Sequence, residues 1–164
     1  MEKNIRRNIR AIRLSLGLSV KEFHELTNVS TTTIVNVEQG HKGIKLETIN
    51  KLISFTDFTI EQIASDQFTI PGNLRETLFE KFKDDDELIQ FFYFEPKILD
   101  AIDMKLITSE FFSSYKEINE IVNFFREIGW KVKGTSLQNE LKKHPLVEMI
   151  PHPTKKNTNI YKRI

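Results

Sequence analysis

The chain has 164 residues, with 24 Lys+Arg against 23 Asp+Glu, a net charge of +1 and no cysteine. That length holds one large or two small domains, and the near-neutral balance excludes a basic tail or a histone-like wrap. Lack of cysteine excludes disulfides, thiolate metal sites and a cysteine nucleophile. The charged N-terminus and the absence of a long apolar run make no secretion signal and no membrane span the expectation, with a cytoplasmic location.

In chain order, Ile9, Ile12 and Leu16 are spaced as the buried face of a first helix. Ser19 with Glu22 three residues later forms a capping box that opens a second helix at Val20, with Phe23 and Leu26 on its apolar face. Asn28 tolerates the left-handed backbone of a tight turn, and Val29 can plug the angle behind it. Ser30 caps a third helix from about Thr31 to Gln39. Ile34 and Val37 form its inner face, Thr31, Thr32, Val35 and Asn36 its outer face, and Gly40 ends it. Leu46, Ile49 and Leu52 read as a fourth helix. Thr59 to Ala64 reads as a fifth, with Thr59 and Gln62 as a second capping box.

Residues 4 to 66 resemble the phage repressor and Cro (XRE) family of helix-turn-helix proteins. The residues that carry the resemblance are Leu18, Ser19, Phe23, Val29, Ser30, Ile34, Val37, Glu38, Gly40, Leu46, Thr48 and Leu52. The resemblance implies a five-helix, lambda-repressor-like domain over residues 1–68 that binds double-stranded DNA as a homodimer on a pseudo-palindromic site. It also implies an internal ion pair between Arg13 and Glu38. Three positions depart from the pattern. His24 stands where a small alanine lets the helices approach, so its ring must point outward or push them apart. Val20 replaces a polar residue at the helix start, and Asn28 replaces glycine.

Side-chain chemistry assigns roles within that frame. Thr31, Thr32 and Asn36, with Thr33 and Val35 near them, are the candidate base readers, because asparagine pairs bidentately with adenine and threonine touches the thymine methyl. Ser19, Lys21, Gln39, Lys42 and Lys45 are the candidate phosphate contacts that would set register.

Pro71-Gly72-Asn73 punctuates the chain, so a second domain is expected over residues 74–164, with a helix from about Leu74 to Lys83. Asp84-Asp85-Asp86-Glu87 is expected to open another helix. Ten of the thirteen phenylalanines lie beyond residue 66. Their spacing reads as core, with a dimer interface sharing some of the rings. Ser114 and Glu117 read as a capping box for a helix with Ile118, Ile121, Val122, Phe125 and Ile128 on one face. Thr135 reads as the cap of a shorter helix to about Lys143. Val147 to Ile150 and Asn159 to Ile164 read as a hairpin around Pro153 to Thr158. The whole is mainly α, ending in a β-hairpin. The tail resembles a winged helix in outline, without a clear second helix-turn-helix before the hairpin. A plain α+β dimerisation domain is the alternative.

Charge varies along the chain. Residues 1–66 carry nine basic and eight acidic side chains, residues 67–112 five and ten, and residues 113–164 ten and five. A basic end behind an acidic middle is compatible with nucleic-acid contact at both ends, and equally with ordinary surface charge. No phosphate-binding glycine loop, metalloprotease motif or nucleophile elbow is present, so no enzyme activity and no cofactor are expected. His144, Glu148 and His152 are spaced by four, but Pro145 and Pro151 argue against the helix that a metal site would need. The leading reading is a sequence-specific DNA-binding regulator. An alternative of another class is an antitoxin-type protein, whose tail holds a partner and whose helix-turn-helix serves autoregulation.

Overall fold

Glu2–Ser15 forms α1, which supplies the long wall of the N-terminal core through Ile5, Ile9 and Ile12. The computed structural model describes residues 1–164, and the chain is mainly helical with a small antiparallel sheet near its C-terminus. It separates into two units, Met1–Phe92 and Tyr93–Ile164.

In the first unit, α2 (Val20–Thr27), α3 (Thr31–Gln39), α4 (Leu46–Ile53) and α5 (Ile60–Ala64) follow α1. Both capping boxes form, at Ser19/Glu22 and Thr59/Gln62. Asn28 and Gly40 adopt left-handed conformations (φ 56° and 80°) that turn the chain out of α2 and α3. Phe23, Ile34, Leu52 and Ile63 are fully buried with Ile9 and Ile12.

Polar side chains of α1 also tie this unit together. Asn8 Nδ2 donates to the carbonyls of Ile63 and Ser65 at 2.8 and 3.0 Å, and Asn4 Nδ2 to that of Ala64 at 3.1 Å. These bonds satisfy carbonyls at the open end of the short helix α5.

The domain boundary expected near residues 66–73 falls inside this first unit. α6 (Leu74–Lys81) buries Leu74, Leu78 and Phe79. It is two residues shorter than the expected Leu74–Lys83. Phe92 is fully buried and stacks on Phe55 and Phe82 at 6.1 and 5.4 Å between ring centroids. The proline and glycine turn the chain without ending its core. The acidic run does not open an α-helix either. Asp85 Oδ1 accepts from the N–H groups of Glu87 and Leu88, and only a 3-10 turn, Ile89–Phe91, follows. Four consecutive aromatics lack the 3.6-residue period that would bury one face of an α-helix.

The second unit begins with α7 (Ile98–Ala101), which continues as a π-helical turn over Ile102–Leu106. Then come β1 (Lys116–Glu117), α8 (Ile118–Glu127), α9 (Gly134–Leu141), β2 (Val147–Pro151) and β3 (Asn159–Arg163). The hairpin pairs Met149 with Tyr161 and Ile150 with Ile160. β1 adds to the far side of β3, pairing Lys116 with Tyr161, so the sheet order is β1-β3-β2. The core comprises Ala101, Ile102, Leu106, Phe112, Ile121, Phe125, Val132, Leu137, Leu141 and Tyr161.

Three local expectations change here. Ser114 is not the cap of α8; Glu117 is, paired with Glu120, because residues 116–117 are held as a strand. Thr135 lies inside α9, whose N-cap is Lys133. The hairpin is preceded by a packed helix pair after all. α8 ends, Gly129 turns the chain at φ 81°, and α9 packs back on α8. A Cβ at Gly134 would stand 3.2 Å from Ile118 Cγ2 and 3.7 Å from Val122 Cγ2, so glycine there permits the close approach.

Candidate nucleic-acid interface

Burial of Ile34 and Val37 fixes which side of α3 faces outward. Thr31, Thr32 and Gln39 are exposed, and Thr33, Val35 and Asn36 are half-buried. Thr32, Thr33 and Asn36 share one groove with Ser30, Lys42, Gly43, Ile44, Lys45 and Thr48. The groove thus joins candidate base readers to two candidate phosphate contacts from the following loop.

The other candidates are placed differently. Thr33 Oγ1 lies 2.8 Å from Ser30 Oγ, which also accepts from Thr33 N–H, so this threonine is tied into the cap of α3. Gln39 Oε1 is held by His41 Nε2 at 2.7 Å. Ser19 lies at the start of α2, where its Oγ accepts from Glu22 N–H and its own N–H donates to Glu22 Oε2 at 2.7 Å. The Glu22 carboxylate therefore already occupies that helix start. Lys21 is exposed, 3.9 Å from Glu25. Val35 brings no polar group and offers a methyl surface.

Two basic residues of α1 hold α3 in place. Arg13 Nε and Nη2 donate to Glu38 Oε1 and Oε2 at 2.7 Å each, and Arg13 Nη1 donates to the Leu18 carbonyl at 2.8 Å. Both side chains are nearly fully buried. A bidentate fork between desolvated partners fixes angle as well as distance. The Glu38 carboxylate raises the guanidinium pKa above its ordinary value.

Sequence reasoning missed Arg6. Its Nη1 donates to the carbonyls of Asn36 and Val37 at 3.2 and 2.9 Å, and its Nη2 donates to Glu2 Oε1 and the Lys42 carbonyl. Glu2 Oε1 also accepts from Ile44 N–H at 3.1 Å. A cation on the last carbonyls of a helix is favoured by the helix dipole. The clamp sets both the end of α3 and the loop that carries Lys42 and Lys45. A polar residue one turn from the charged N-terminus has no sequence signature that separates it from a solvated arginine.

His24 is half-buried and turns its ring toward the inter-helix turn. Its Nδ1–H donates to the Val29 carbonyl at 2.9 Å, bracing the turn between α2 and α3.

Residues 9–63 match the "Helix-turn-helix" family model. This part of the chain is an XRE-type helix-turn-helix. The match supports a DNA-binding regulator, in a family of regulators rather than enzymes. No curated protein and no solved structure matches the chain. No helix is long and apolar enough to cross a membrane.

His144, Glu148 and His152 each face a different partner. His144 Nε2 lies 2.8 Å from Asp103 Oδ1, Glu148 accepts from the Tyr115 hydroxyl at 2.6 Å, and His152 Nε2 lies 3.2 Å from Glu117 Oε1.

Proposed function

We propose that the chain is a cytoplasmic, sequence-specific transcriptional regulator that binds duplex DNA as a homodimer with α3 in the major groove. Thr31, Thr32 and Asn36 read base edges, with Val35 offering methyl contact and Thr33 close by. Lys42 and Lys45, with Ser19, Lys21 and Gln39, contact phosphates and set the register. Residues from 74 onward supply pairing or partner contacts.

The observation that supports this reading best is the groove shared by Thr32, Asn36, Lys42 and Lys45, beside a helix whose end Arg6 clamps. Base-reading and backbone-reading groups on one rigid edge are what groove recognition requires. Homodimer formation rests on the size of the site. One such helix reads few base pairs, and a two-fold pair on half-sites about one helical turn apart extends the sequence read.

Selection of duplexes from a random pool with the full chain, followed by footprinting, tests it. Two inverted half-sites about 34–36 Å apart are expected. Recovery of no common sequence would overturn the reading, and a single unrepeated site would overturn the dimer.

A further inference from the structure

The second unit carries a helix pair and a hairpin whose ends are brought together by named contacts. Gly134, at the start of α9, packs against Ile118 and Val122 in the first turns of α8. Glu117, next to Ile118, binds Lys155 Nζ at 2.6 Å and stands 3.2 Å from His152 Nε2. Both of those residues belong to the loop between β2 and β3. The beginning of α9 and the hairpin loop therefore share one end of this unit.

That loop is held in one shape. His152 Nδ1 accepts from the N–H groups of Thr154 and Lys155 at 3.1 and 3.0 Å, His152 N–H donates to the Thr158 carbonyl at 2.8 Å, and Asn157 takes a left-handed turn at φ 55°. Lys155 is committed to Glu117, whereas Lys156 is exposed and enters no ion pair. Lys133, the N-cap of α9, is likewise exposed and unpaired.

Leu137 and Leu141 are the buried residues of α9, and Thr135, Asn139 and Lys142 are exposed on the opposite side at spacings of four and three. Residues 131–164 hold eight basic and two acidic side chains. One of those two acids, Glu148, is already bound to Lys162 and Tyr115.

We infer that the second unit is itself a duplex-DNA-binding module, with α9 entering a major groove and the 152–158 loop lying along the adjoining backbone. The order helix, strand, helix, helix, hairpin, with the short first strand paired to the last, is that of a winged helix. The second helix of a packed pair is the one that enters the groove, and its first residues meet the bases. Thr135 and Asn139 have the donors and acceptors to read base edges. Lys133 and Lys156 flank that end as unneutralised cations for phosphate. Duplex DNA fits this surface better than a protein does, because its outward residues are short polar groups and lysines rather than the aromatic and aliphatic anchors of protein interfaces. The chain would then hold DNA at two places, and the inference does not depend on α3 being a reader.

The test uses the full chain and two double variants, K133Q/K156Q and K42Q/K45Q, titrated against a long random-sequence duplex over a range of salt, with oligomeric mass followed by light scattering. Each lost phosphate contact lowers the slope of log K against log salt by about 0.9, so each variant is expected to lower it by about 1.8. A drop for K42Q/K45Q alone overturns this inference and leaves the proposed function standing. A drop for K133Q/K156Q alone supports the inference and removes the proposed one. No binding by the wild-type chain overturns both. A changed mass for K133Q/K156Q with an unchanged slope makes the α9 end a protein-contact surface and overturns the inference.

Discussion

Arg6 Nη1 donates to the carbonyl oxygen of Val37 at 2.9 Å, across thirty-one positions of sequence, and so ties the first helix to the last turn of α3. The same guanidinium reaches Asn36, Lys42 and Glu2. Hydrogen bonds from a charged donor contribute about 1.5–3 kcal/mol. R6A is therefore expected to lower unfolding free energy by an amount in that range, and to weaken DNA binding although Arg6 need not touch the duplex. R6K keeps the charge but loses the fork, and should recover only part of both. Urea unfolding and a binding titration check this. Full recovery by lysine would show that charge alone matters.

Glu38 and Arg13 are a buried pair, so removing one partner leaves the other charge desolvated. E38Q should cost about 3–5 kcal/mol, while replacing both with apolar residues of similar volume should cost much less. The comparison is read from urea midpoints at constant m-value. Equal losses in the single and double variants would mean that the pair does not act as a unit.

Asn36 presents its side chain to the groove while its carbonyl is held by Arg6. N36A should cost about 1–3 kcal/mol at one base position and relax selectivity there. Binding measured across a set of single-base operator variants decides it. An equal loss for every sequence would make Asn36 a packing or phosphate residue.

Tyr161 is fully buried in the second core, and its hydroxyl has no hydrogen-bond partner. An unpaired buried polar group is unfavourable by about 1–3 kcal/mol. Y161F removes the hydroxyl and keeps the ring, so it should leave stability unchanged or raise it by about 1 kcal/mol. A clear loss in thermal or urea unfolding would reveal a partner for the hydroxyl, such as a trapped water.

Glu148 accepts from the Tyr115 hydroxyl and from Lys162, and these bonds hold its carboxyl below the usual range. A folded pKa lower than the unfolded one stabilises the fold above the usual carboxylate range. That contribution is lost as pH falls through that range to the lowered folded value. Urea midpoints measured against pH should therefore fall more steeply on acidification for the wild type than for E148Q. Parallel curves would show that the carboxylate adds nothing.

Cap chemistry and apolar spacing made the first five helices legible. Ser19, Ser30 and Thr59 announce their helices, and Asn28 and Gly40 mark the turns. Side chains acting across the fold were not legible. Asn8 and Arg6 look like surface residues until α5 and α3 bring carbonyls to them. In the second unit the hairpin was readable from its alternation and turn, but β1 is two residues long and exists only because Tyr161 and Ile160 pair with it. The Pro71-Gly72 turn lies inside the first unit, because such a turn reports local direction only. Phe92 packing on Phe55 is a long-range event that local signals do not carry.

Arg6 grips α3 by main-chain oxygens, and Ile34, Val37, Glu38 and the Ser30–Thr33 cap also fix that helix. None of these anchors uses the outward side chains of Thr31, Thr32 or Asn36. Those three positions behave as an interchangeable face on a fixed mount. A library randomised there alone, with proline left out at position 36, should yield mostly folded proteins, from which altered operator preferences can be selected without rebuilding the scaffold.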